Sequence, residues 1–155
     1  MTNVSMSKQS EKDLIAAFEQ GAEAAVQAHE GQKSNKATDP NLPEGTRQIL
    51  VIKTYRMISD NWQDNDQNKN IFCSPHLELS GHPTPSSEVV RGYIRFVDPN
   101  GLKRPRYSKK TKTITIYMDF RAMPMILEQL KHSQRYLWVG HFSGGHYYGD
   151  MHTVP

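Results

Sequence analysis

Two stretches of this chain gather side chains that can do chemistry. The first is RGYIRFVDPNGLKRPRYSKKTK, residues 91–112. It holds eight basic side chains against one acid, Asp98, for a net charge of +7. Arg91, Arg95, Lys103, Arg104, Arg106, Lys109, Lys110 and Lys112 can neutralise phosphates, and Tyr93 and Tyr107 offer flat faces on which bases stack. Strand alternation puts Arg91, Tyr93 and Arg95 on one face and Ile94 and Phe96 on the other. If the strand pairs with residues 112–120, Tyr117 and the threonines join the basic face. Pro105 stiffens the chain between Arg104 and Arg106. These ten residues are the expected contacts to a nucleic acid, DNA or RNA alike. The same composition suits an acidic protein surface as partner. It also suits a solvated edge hairpin, kept from unwanted pairing by lysines and a proline.

The second stretch is VGHFSGGHYYGDMH, residues 139–152. A two-residue turn at Gly144-Gly145 would pair His141 with Tyr148 and Val139 with Asp150. His141, His146 and Asp150 then share a face, with diagonal neighbours roughly 7 Å apart. Such a set is the alternative site for a divalent metal, or for acid–base work by His141 and Asp150. The spacing has neither H-E-x-x-H nor paired C-x-x-C units, and Ser143 lacks a nucleophile elbow. No catalytic residue and no cofactor is therefore assigned, and a non-enzyme is expected. Trp138, Phe142, Tyr147 and Tyr148 surround Gly140 and Gly149 in an aromatic notch. That notch suits a protein partner, for instance a larger machine that this chain would inhibit. Packing of the chain's own aromatics over the glycines is the plainer reading.

The elements that must position these groups come from periodicity. The 155 residues suffice for a core without staples, and a lone cysteine, Cys73, excludes an intrachain disulfide. Apolar runs last only a few residues, as at Ile49-Leu50-Val51-Ile52, so no membrane span is expected. The N-terminus lacks a signal-like apolar run, and the expected location is the cytoplasm. Outside residues 91–112 the chain carries 11 bases and 15 acids, a net −4.

Ser10 and Asp13 form a capping-box pattern ahead of Leu14, Ile15, Phe18, Ala22, Ala25 and Val26, which predicts an acidic amphipathic helix ending at Gly31. Its single apolar stripe needs a partner and predicts a homodimer. Residues 31–45 read as a linker. Strands are expected at 48–58, 71–79, 90–96 and 112–120, a helix at 122–133, and a terminal hairpin. The predicted class is α+β: a mainly antiparallel sheet of hairpins with an N-terminal amphipathic helix and one helix near residues 122–133. Residues 1–45 would form the acidic helix and linker, and 46–155 the α+β domain. The function expected is nucleic-acid binding through 91–112, with protein binding and a metal-assisted enzyme as alternatives.

Overall fold

The computed structural model describes residues 39–63 and 71–154. The expected N-terminal helix, and with it the stripe argued to dimerise, lies outside them. Seven strands form one sheet: β1 (Arg47–Gln63), β2 (Ile71–Pro83), β3 (Arg91–Val97), β4 (Arg106–Ser108), β5 (Thr113–Asp119), β6 (Arg135–Phe142) and β7 (His146–Thr153). Their order is β4-β5-β3-β2-β1-β6-β7. Among the described residues the only α-helix is α1, Met123–Gln129, entered through Pro124 in its first turn.

This corrects the α+β expectation. The protein is mostly β, and its sheet curls into a nearly closed, mixed barrel. The helix expected over 122–133 is shorter because hydrogen-bonded turns replace it from Lys131 and His132 onward. Among the described residues no helix is long and apolar enough to cross a membrane.

The basic stretch is also not one hairpin. β3 and β5 are parallel, and β5 sits between β3 and β4. Asp98 starts the departure: its side chain accepts from the Asn100 amide at 3.0 Å and opens a short 3-10 turn over Pro99–Gly101. Pro105 has no amide proton to give a ladder, so the chain crosses past β5 before pairing as β4. It then reverses at residues 109–112, where Lys112 takes a left-handed φ of 52°.

β2 runs through Pro75, which has no amide proton to give a ladder. Pro75 lies opposite Ser59 of β1, before the β3 pairing begins at His76, so the missing donor falls where β2 has one neighbour.

One face of the curled sheet forms the main core. Leu50, Ile52, Leu77, Leu79, Ile94, Phe96, Ile114, Ile116, Leu137 and Val139 meet there, with Ile126 and Leu130 from the helical segment packed against them. The alternation in β3 and β5 is therefore as expected: Ile94, Phe96, Ile114 and Ile116 inward, Arg91, Tyr93, Arg95 and Tyr117 outward. β1 and β6 are apolar on both faces, and Ile49, Val51, Tyr136, Trp138 and Phe142 form a second buried cluster.

The two sheet edges approach without a ladder. A Cβ on Gly149 of β7 would stand 2.8 Å from Pro105 Cβ and 3.1 Å from Ile116 Cδ1. The space over Gly149 is thus taken by Pro105 of the crossover and Ile116 of β5, not by the aromatics expected to pack there.

Candidate nucleic-acid interface

The outer face of β3, β5 and β4 is a groove of about 850 Å³. Register builds it row by row. Arg91 lies beside Thr113, Tyr93 beside Thr115, and Arg95 beside Tyr117. On the far side of β5, Thr113 faces Ser108 and Thr115 faces Arg106. The short hydroxyl residues Thr113 and Thr115, each 7% exposed, make the floor. The longer side chains on either side make the walls. Lys103 and Arg104 join from the crossover, so five cations line the groove: Arg91, Arg95, Lys103, Arg104 and Arg106.

Two tyrosines in the groove are half-buried, with their rings flanked by cations. Arg95 lies 5.8 Å from the centre of the Tyr93 ring, and Lys103 5.8 Å from that of Tyr117. These rings sit on adjacent strands, two register steps apart on the same face. One acid lines the groove, Asp39, whose carboxylate is 3.6 Å from the Arg104 guanidinium. Arg104 also lies over the Tyr147 ring at 4.2 Å, and Tyr147 stacks on His141 at 4.1 Å. This stack holds the crossover against β7 and sets the position of one wall.

The structure divides the ten expected contacts. Seven line the groove. Lys109, Lys110 and Lys112 stand outside it on the exposed turn. Lys112 contributes its carbonyl, which accepts from the Val90 and Arg91 amides and so anchors the start of β3. Tyr107 is 4% exposed and belongs to the core, its hydroxyl pKa pushed up by burial first and by the charge of Glu88 second. Its ring offers little face for stacking. Sequence reasoning left Asp39, Asn41, Ser108 and Thr111 out of the site. Asn41 accepts from the Lys109 amide at 3.1 Å across 68 residues, a contact that no local pattern announces.

The terminal hairpin differs by one residue from its expected register. Ser143–Gly145 form a three-residue turn, with Gly144 and Gly145 at φ 80° and 76°, and Phe142 pairs with His146. His141 therefore pairs with Tyr147, and Trp138 with Asp150. A slip of one turns β7 over relative to β6. His141 points to the main-core side, while His146 and Asp150 lie on the other, so the three expected metal ligands do not converge. Among the described residues no group of three or more His, Cys, Asp and Glu is placed to hold a metal ion.

His141 is structural instead. It is 3% exposed and its Nδ1–H donates to the Leu42 carbonyl at 2.8 Å. Of the four aromatics expected to meet a partner, Trp138 and Phe142 are buried and Tyr147 lies beneath Arg104. Tyr148 is the most open, at 44%.

Asp150 is half-buried on that hairpin. Burial pushes its carboxyl above the usual carboxylate range, against the Tyr148 hydroxyl donated at 3.0 Å, the charge of His152 and a hydrogen bond from Trp138. A raised folded-state pKa means that its stabilising contribution is complete below the unfolded value and is lost as pH rises through the folded one. Asp150→Asn keeps an acceptor for Tyr148 and has no charge to bury. Its melting temperature should exceed wild type at pH 7, with the gap closing as the pH is lowered to about 4. Melting curves at several pH values check this, and a gap independent of pH would contradict it.

Comparison of the chain with protein-family models, with curated proteins and with solved structures gives no match in any of the three.

Proposed function

We propose that this protein binds single-stranded nucleic acid in the groove over β3, β5 and β4. The observation that carries the reading is the convergence on one face of five cations and two half-buried tyrosines above a floor of hydroxyls, with one acid. Cations alone would suit any polyanion. Half-exposed rings beside them suit a strand whose bases are unpaired, because every base has a face to stack and a duplex hides it. Tyr93 and Tyr117 stand diagonally on neighbouring strands, roughly 7–8 Å apart at the backbone, which is within reach of two successive bases. A duplex reader places a helix or β-ribbon in a groove of the DNA. Here α1 has only seven residues and no basic side chain.

The test is fluorescence anisotropy with a labelled oligothymidylate and oligouridylate at increasing salt. Binding should weaken with a slope of about −0.7 per phosphate contact, near −3.5 for five contacts. Absence of binding at low salt would remove the reading. Equal or tighter binding to duplex would redirect it to double strands.

A further inference from the structure

The outer face does not end at β3. A second hollow of about 470 Å³ lies over β1, β2 and β3, and Arg91 and Tyr93 line both. The registers make the two hollows one track. Arg56 of β1 faces Glu78 of β2, Glu78 faces Tyr93 of β3, Tyr93 faces Thr115 of β5, and Thr115 faces Arg106 of β4. This row crosses five strands, four steps of roughly 4.8 Å each, or about 19 Å.

The two hollows differ in chemistry. The first is cationic. In the second, Arg56 is held by Glu78, with both its Nε and a terminal nitrogen 2.6 Å from Glu78 Oε2. That pair is nearly neutral, so it adds little for a phosphate. It presents instead a carboxylate that accepts and a guanidinium that donates, side by side and next to an aromatic ring. Oε2 takes both Arg56 contacts, and Oε1, 3.8 Å from His76 Nε2, is the oxygen with lone pairs left for a base; Arg56 is 72% exposed, with donors to spare. Hydrogen bonding by Arg56 is the main cause that holds the Glu78 carboxyl below its usual range, against a smaller opposing effect of burial, so it is ionised at neutral pH.

Resting on the single-strand reading above, we infer that the second hollow seats one base of the same strand and that the Arg56–Glu78 pair selects guanine. Guanine alone among the common bases carries two adjacent N–H donors, at N1 and N2, which match a carboxylate. Its O6 acceptor beside them suits Arg56. Cytosine, adenine and uracil each offer the carboxylate only one donor position on that edge. Tyr93, shared by the two hollows, stands where the backbone passes from the phosphate groove to the base site.

The experiment compares labelled dodecamers of thymidine with the same oligomer bearing one central guanine, cytosine or adenine. Wild type should bind the guanine oligomer about tenfold more tightly than oligothymidylate. In Glu78→Gln the one amide oxygen is held by Arg56 and the amide N–H group turns toward the donors of guanine, so it should lose most of that preference. Its affinity for oligothymidylate, and the salt slope, should stay within about twofold. Arg56→Ala, at an exposed position, supplies a second variant, and melting curves establish that both fold. A wild type that binds oligothymidylate without preferring guanine overturns this inference and leaves the groove reading standing. So does a preference that survives in both variants. A wild type that binds no oligomer overturns both.

Discussion

Replacing Arg91, Arg95 and Arg106 together by alanine should weaken binding to a single-stranded oligonucleotide about 100-fold at 0.15 M salt. Each guanidinium stands on the outer face of the sheet and lines the groove. A charge-assisted contact to phosphate in an exposed site contributes about 1 kcal/mol, so three removed contacts correspond to about two orders of magnitude. The salt slope should fall by about 2, from near −3.5 to near −1.4. The triple variant Lys109→Ala, Lys110→Ala, Lys112→Ala removes the same charge from the neighbouring turn, outside the groove. It should cost less than about tenfold. Equal losses in the two variants would mean that net charge, and not the groove, governs binding. None of the six side chains belongs to a core cluster, so melting temperatures should change little.

Gly81→Ala should have the largest effect on stability of any alanine substitution at the sheet glycines. A Cβ there would stand 1.8 Å from the Val51 carbonyl oxygen and 2.9 Å from its carbon, both backbone atoms of β1. No rotamer can relieve a clash with backbone, so β1 and β2 must separate where the β1 register shifts, between Ile52 and Thr54. The expected loss is about 3 kcal/mol, or roughly 10–20 °C in melting temperature. At Gly92 the nearest atom is the tip of a side chain, Leu137 Cδ2 at 2.3 Å, which a rotamer change can move. Gly92→Ala should therefore cost less. Thermal melts of the two variants decide the order, and equal stability of Gly81→Ala and wild type would contradict this account of the β1–β2 junction.

What could be read from the sequence was what local period decides. Alternation in 90–96 and 113–119 places Arg91, Tyr93, Arg95 and Tyr117 outward whichever way the strands run, because a strand has only two faces. It does not say who pairs with whom. A turn signal at Asp98–Gly101 followed by a second strand suggests a hairpin, yet the strand that follows the turn is β4, and β5 enters between them in parallel. That pairing is non-local, and so is the row from Arg56 to Arg106 that depends on it. Asp39 and Asn41 reach the groove from a segment that looks like linker.

Elsewhere a single residue decided the outcome. Two glycines allow a two-residue turn, and counting Ser143 into it moved Asp150 from the His141 face to the Trp138 face. Tyr107 sits between two outward residues, Arg106 and Ser108. Only knowledge that these three residues form a strand assigns its ring to the core.

The most direct test of the single-strand groove is amide chemical-shift mapping of the labelled protein titrated with an oligothymidylate dodecamer. The largest changes should fall on β3, β4 and β5, at Arg91–Arg95, Arg106–Ser108 and Thr113–Tyr117, with little change at Ile126–Leu130 of the helical segment. Changes centred on β6 and β7, or none at an excess of oligonucleotide in low salt, would contradict it.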